Sequence, residues 1–433
     1  MKKLSQRNTF RAFRSLNYTL YFIGRSVSQF GTWMQRTAVV WVVYSMTHSP
    51  LLLGLTIFAE QFPSFLLSIP GGVAADRYDR YKIIKITQVA SIIQSVALAL
   101  LVLTGHAPVW AILSLSVMLG IINAFDVPAR QSMVHEVVAD PADLPNALSL
   151  TTAMASLAQL LGPALAGIVL NAYGATVCFF INAATFVAVI ISLLLMKLPV
   201  HKPKENKKRV LTEFVEGFTY LKASPNLSYI ILFLCVICFL VLPYNTVLPV
   251  FAKVIFKGNA STYGLISSFI GLGAVSCTIY LASRKPGAQL KRTLFISTLM
   301  LGVGLICFSL IKTFPVAMVF AAVMGFGSIS QFAVSNIIVQ SESAPEMRGR
   351  VIGILLMAMF GMAPLGSLVV GAVSERIGAP TTVLCQGIVA IIAALCFIKF
   401  FTRPAGKPQV ATKEIATEEA EEAVAELYKE QTT

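Results

Sequence analysis

Arg36 and Glu60 are the residues of this chain with the clearest capacity for chemistry. Each sits inside a long apolar run, where a lone charge would cost at least about 2.5–3.5 kcal/mol. The two runs turn back on each other near residue 48, so Arg36 precedes the turn by about as many residues as Glu60 follows it. At 1.5 Å rise per residue both lie roughly 18 Å from that end of a helical hairpin. Equal depth on adjacent antiparallel helices makes an ion pair geometrically natural, and leaves open an arrangement in which the two do not meet. The pair could be a permanent neutralisation that lowers the cost of burial. It could equally be a coupling device, in which Glu60 takes up a proton, releases Arg36 and lets substrate bind.

Arg25, Gln29 and Thr32 precede Arg36 at helical spacing and extend the polar character along one stripe of the same helix. Such a stripe is expected to face an internal cavity and not lipid. Trp33 and Phe62 from the first half, and Asn245, Gln331 and Asn336 from the second, are expected to line that cavity. Few charges among aromatic walls suit a bulky amphipathic molecule. Asp126, just before Pro128, is expected to cap a short helix leading to Arg130.

The elements that hold these residues follow from composition. Of 433 residues, 56% are apolar and only 12% charged, with a mean hydropathy of +0.76. An ordinary soluble domain carries about 25% charged residues. This chain cannot be a typical cytosolic enzyme, a secreted disulfide scaffold or a disordered chain. A membrane-spanning helix needs about 20 mostly apolar residues. Twelve such runs occur, near 17–46, 51–75, 82–104, 109–127, 146–171, 175–196, 226–252, 262–283, 292–311, 315–338, 351–373 and 380–401. The predicted fold class is an all-α membrane protein with twelve transmembrane helices.

The net charge of +14 is spread in short clusters between these runs, unlike the continuous basic stripe of a nucleic-acid binder. The connections 47–50, 105–108 and 171–175 carry no Lys or Arg, whereas the alternate connections hold Arg77, Arg80, Lys82, Arg130 and the cluster 197–209. Apart from Arg25 and Arg36 in the first run, only Lys253, Lys257, Lys312 and Arg376 fall on the basic-poor side. The positive-inside rule places the basic side, and both termini, in the cytoplasm of a cell whose inner membrane holds the chain. The apolar run after the basic N-terminus lacks a small-residue cleavage site, which predicts a retained first span.

The halves repeat. A shift of 204 aligns Pro141 with Pro345, Gly167 with Gly371, Gly174 with Gly378 and Ala175 with Ala379. The expected domains are an N-terminal six-helix bundle over 1–196, a linker over 197–225, a C-terminal six-helix bundle over 226–403 and a tail over 404–433. The linker opens with Lys202, Lys204, Lys207, Lys208 and Arg209. It continues with Val210, Leu211, Phe214, Val215, Phe218 and Leu221 on one helical face. That pattern fits a helix lying at the membrane surface, and also a solvated clip between the halves. The tail carries seven Glu against three Lys and receives no function. Cys235 and Cys238 have CxxC spacing but no flanking polar ligands, so they read as packing.

Two local motifs stand out. Gly72, Asp76, Arg77 and Arg80 lie in the run GVAADRYDRYK between the second and third spans. A glycine permits close helix approach, and an acid among arginines at a helix end makes a breakable latch. The other reading is a basic loop that only sets topology. In the fifth span, Gly162, Pro163 and Gly167 lie in GPALAG, where small residues flatten the helix and proline bends it. Helix packing and a role in coupling are both open for this run.

The first run resembles the loop motif G-x-x-x-D-R-x-G-R-[RK] of major facilitator transporters, and the second resembles the end of the antiporter motif of drug and proton exchangers. The chain departs from the first at Asp79, where the family has glycine, and at Tyr81, with the base displaced to Lys82. The runs GTWMQR (31–36), AFDVPARQ (124–131), DLPNA (143–147) and RGRV (348–351) are similar to the branch holding the enterobactin exporter and the macrolide-efflux proteins. The resemblance covers most of residues 10–400. It implies a major facilitator fold and outward transport of a bulky organic compound.

No phosphate-binding P-loop, zinc-protease motif or His/Cys cluster occurs, so neither a cofactor, a metal nor an enzyme is expected. The resemblance, with no P-loop present, implies a secondary active exporter of a siderophore-, macrolide- or drug-like compound. It would work by alternating access and draw on a proton gradient. Its partners would be a small-molecule substrate and membrane lipids, with no nucleic acid, and a monomer suffices. The alternative on the same fold is a transporter of lysophospholipid or another lipid. A membrane-embedded enzyme or receptor would need a clustered constellation that the sequence does not hold.

Overall fold

The computed structural model describes residues 8–105, 107–196, 210–284 and 289–398, with side chains from Phe10 and, in the third segment, from Val215. The basic run 202–209 and the tail 404–433 lie outside the described residues. Among the described residues every regular element is helical.

Local signals set the helix ends. Ser15 caps α1 (Leu16–Thr47), its hydroxyl accepting from the Tyr18 N–H, and His48 ends it in the left-handed region at φ 53°. Ser49 caps α2 (Pro50–Leu66) by accepting from the Leu52 N–H, with Pro50 in the first turn. Pro63 removes a donor inside α2. The chain stops at Leu66 and resumes as α3 (Ser68–Arg77) at an angle of 47°. Asp79 caps α4 (Arg80–Leu103) through the Tyr81 N–H at φ −62°, so this turn needs no glycine.

The first half continues with α5 (Val109–Val137), α6 (Leu144–Tyr173) and α7 (Ala175–Leu195). The linker helix α8 (Val210–Ala223) leads into α9 (Pro225–Val236). Beyond α9 the span loses α-geometry. A π-turn (Ile237–Val241), a 3-10 stretch (Leu242–Val247), α10 (Leu248–Val250) and a second π-turn (Phe251–Ile255) follow in sequence. Pro243 and Pro249 cannot donate to the helical ladder, which accounts for the break. Then come α11 (Ala260–Ala282), α12 (Leu290–Leu310), α13 (Phe314–Glu342), α14 (Arg348–Ile377) and α15 (Ala379–Cys396).

Ten helices among the described residues are long and apolar enough to cross a membrane, counting Pro225–Ile255 as one, and the bent pair α2–α3 makes an eleventh. The 32-residue α1 is not among them, because Arg25, Gln29, Gln35 and Arg36 lower its hydropathy.

Within the first half α1 packs on α6 and α7, α4 on α5 and α7, and α2 on α5. Within the second, α13 packs on α11 and α12, and α12 on α15. The repeat has a structural counterpart: Gly174 and Gly378 both take positive φ, +82° and +85°, at the ends of α6 and α14. No side chain with a Cβ adopts that region cheaply.

Two helix crossings join the halves, α6 with α11 and α2 with α14. Both are made at paired glycines. A Cβ on Gly167 would meet Ala260, Ser261 and Gly264, and one on Gly371 would meet Pro50, Leu51 and Gly54. Beside them Ser261 donates to the Gly167 carbonyl at 3.0 Å, and Ser49 donates to Glu375 at 2.8 Å. Trp41 of α1 stacks on Tyr263 of α11.

The linker helix packs on the second half. Glu216 pairs with Arg350 at 2.6 Å, and the Tyr220 hydroxyl accepts from the Ala344 N–H. Its packed face is Gly217, Tyr220 and Leu221. Phe218, placed by the sequence pattern on the apolar face with Leu221, is instead 46% exposed. The close glycine contact with Arg350 and Ile354 turns the face away from it.

Candidate functional site

Arg36 and Glu60 form an ion pair, Nε to Oε1 at 2.6 Å. Helix α1 carries the guanidinium and α2 the carboxylate. Gly120 of α5 lies against the Glu60 backbone, where any Cβ would strike its carbonyl. Trp33 sits one residue-turn below, with the Arg36 guanidinium carbon 5.7 Å from its ring centre, a cation–π contact. Gly162 of α6 packs directly on Trp33, holding the indole toward Arg36. Phe62, two residues beyond Glu60, stacks on Phe58 at 4.6 Å.

Further along the stripe, Arg25 and Gln29 line a cleft with Phe22, Ser26, Thr151 and Met154, between α1 and α6. Arg25 donates to the Tyr21 hydroxyl at 3.2 Å, and no carboxylate pairs with it among the described residues. The Thr32 hydroxyl donates to the Ser28 carbonyl and so satisfies itself on its own helix.

Behind the stripe lies a buried network that charge spacing alone does not reveal. Asp126 is interior to α5 and caps nothing, contrary to expectation: Pro128 is accommodated inside a continuous helix. The Asp126 carboxylate accepts from Thr87 at 2.7 Å and from Gln88 at 3.0 Å, and pairs with Arg130 one turn on. Tyr21 donates to the Arg130 carbonyl, which links this network to Arg25. A second cluster joins Gln35 to Gln94, Ser95 and Asn182, all buried. The signal for it was present as a Gln and an Asn inside apolar runs, but their partners were not readable.

The loop motif is arranged differently from expectation in one respect. Gly72 has open space around its Cα, whereas Gly71 makes the tight approach, against the Ala124 backbone of α5. The bend between α2 and α3 rotates the packed face by one residue. Arg80 pairs with Glu136 at 2.6 Å, donates to the Ala75 carbonyl, and lies 3.8 Å from Asp76. Arg77 is exposed.

In the second half Asn245 is exposed within the 3-10 break, and Asn336 is half-buried, accepting from Gln340. Gln331 does not line a cavity. It is fully buried, accepts from Thr298 of α12 and donates to the Gly327 carbonyl. Its face of α13 is the packing face toward α12.

Polar contacts thus differ at the two ends. Contacts that tie the halves together cluster where α1, α6 and α14 end, and include Lys253 with His48 at 3.1 Å. At the opposite end the ion pairs Arg11–Asp143, Arg80–Glu136 and Lys291–Glu342 each stay within one half.

The described helices form a multi-pass helical membrane protein, with the Arg36–Glu60 pair inside its first half. The structure superimposes on the nucleoside transporter NupG with a TM-score of 0.70 at 16% identity, covering 90% of this chain and 100% of that one. It superimposes on a D-xylose-proton symporter with a TM-score of 0.69 at 14% identity, covering 90% and 98%. The chain belongs to the family described as transmembrane secretion effector, whose profile matches residues 7–428. It is 25% identical to the staphyloferrin A transporter of Staphylococcus aureus over 88% of this chain and 95% of that protein. It is 22% identical to macrolide efflux protein A of Streptococcus pyogenes, over 88% and 94%. It is also 22% identical to the multidrug efflux pump Tap of Mycolicibacterium fortuitum, over 80% and 86%. These relatives are transporters, not enzymes.

Proposed function

We propose that the chain is a proton-coupled exporter of a bulky amphipathic organic compound, working by alternating access between two six-helix bundles. In this reading α1 is the twelfth span, kept in the bilayer because its polar stripe faces the interior. Both termini lie in the cytoplasm, as the distribution of basic residues indicates. The conformation described is then the one open to the cytoplasm: the halves are sealed at the outer end, and the cytoplasmic ion pairs stay within each half. The observation that carries the reading is the Arg36–Glu60 pair between α1 and α2. Protonation of Glu60 releases the guanidinium to a substrate acceptor, which ties proton entry to cargo binding.

Arg25 adds a preference. As a guanidinium in a cleft with no carboxylate partner among the described residues, it is placed to take an anionic group on the cargo. The names of the relatives, a siderophore transporter and two drug pumps, support a large organic cargo. Cells expressing the chain should expel a fluorescent amphipathic dye, and a protonophore should stop the efflux. Efflux that continues unchanged in the presence of the protonophore contradicts proton coupling.

A further inference from the structure

Helices α11 and α12 each pack on α13, and a cavity of about 440 Å³ opens between them near their basic ends. Two guanidiniums stand over it, Arg284 near the end of α11 and Arg292 near the start of α12. Arg284 hydrogen-bonds the Tyr280 hydroxyl and lies over its ring, and Arg292 donates to the Gln289 side chain. Neither has a carboxylate partner among the described residues. The one acid of that end of α13, Glu342, is engaged with Lys291 at 3.3 Å. Below this polar rim the lining changes to Ile296, Met300 and Phe326. Ile296 is 45% exposed, as expected of a side chain that meets hydrocarbon.

We propose that this cavity binds the phosphate of an anionic phospholipid, with the two guanidiniums on the phosphodiester and the acyl chains along the apolar floor. Two arginines whose forks match phosphate, above a wall that matches lipid chains, complement an amphipathic anion. The site is lateral to the Arg36–Glu60 pair and rests on the reading of α11 and α12 as spans, not on the transport mechanism. Lipid bound there would clasp α11 to α12, two helices that otherwise meet through α13.

The full chain, purified in a neutral detergent, can be titrated with phosphatidylglycerol or with phosphatidylcholine of the same acyl chains, and bound lipid read by native mass spectrometry. Phosphatidylglycerol is expected to be retained on the wild-type chain. The Arg284→Ala/Arg292→Ala variant should retain it roughly thirtyfold more weakly, at about one arginine's worth of surface attraction per residue removed. Ile296→Trp, which keeps both charges but fills the floor, should also lower retention. Lys222→Ala/Arg348→Ala removes the same charge from exposed positions at the same end and should leave retention unchanged. Retention by the arginine variant equal to wild type overturns the proposal. So does equal retention of phosphatidylcholine, loss in the control variant, or full competition by inorganic phosphate.

Discussion

Gly167 of α6 and Gly264 of α11 lie backbone to backbone across the junction of the two halves, and Gly371 of α14 and Gly54 of α2 do the same on the other side. The two crossings are related by the internal repeat that aligns Gly167 with Gly371. Rocking of one half against the other must pass through both. The motif that resembles an antiporter signature therefore contributes at least a packing function: Gly162 seats Trp33 within the first half, while Pro163 and Gly167 present bare backbone to the second.

Gly167→Leu should wedge this crossing. The atoms met are backbone, which cannot rotate away, so overpacking should cost about 1–3 kcal/mol. Cysteines at Ser49 and Glu375, whose side chains touch in the described conformation, report the effect. Cross-linking in a background lacking the native cysteines should be efficient with Gly167 and several-fold weaker with Leu.

Lys291 and Glu342 are 9% and 11% exposed, so each is costly without the other. Lys291→Met alone should destabilise the chain by about 3–5 kcal/mol, and Lys291→Met with Glu342→Leu by far less, because removing both charges removes the desolvation penalty. Thermal unfolding in detergent of both single variants and the double variant checks the cycle.

Asp126 accepts from three side chains inside the first half. Asp126→Leu strands the Arg130 guanidinium in a buried site and should cost about 3–5 kcal/mol. Asp126→Asn keeps an oxygen for Thr87 and Gln88 and should lose less. A melting curve that ranks Asn at or below Leu contradicts this assignment.

Most of the helical pattern was legible because spans announce themselves by length and hydropathy. The Arg36–Glu60 contact was legible because antiparallel depth can be counted from a short turn. Three features were not. The choice between Gly71 and Gly72 depends on a bend near Leu67 that rotates the following turn. The burial of Gln331 depends on which face of α13 meets α12, and α13 is apolar on nearly all sides, so periodicity gives no direction. Asp126 reads as a cap only if Pro128 ends the helix, and here the helix absorbs the proline.

Arg25 tests the chemistry of the cargo. Arg25→Ala should slow efflux of a carboxylated xanthene dye by about tenfold or more, the worth of one charge-assisted hydrogen bond, and spare the esterified cationic dye of the same scaffold. Equal loss for both dyes would assign Arg25 to the fold.

Proton coupling turns on Glu60. Purified protein in proteoliposomes, given an imposed pH gradient and a transported dye, measures coupling without the cell. Glu60→Gln is isosteric and keeps an oxygen for Arg36, so the chain should still insert and exchange dye down its gradient. Uphill accumulation driven by protons should fall to the level of empty liposomes. Undiminished uphill transport by Glu60→Gln would show that the pair with Arg36 is structural and that the proton travels elsewhere.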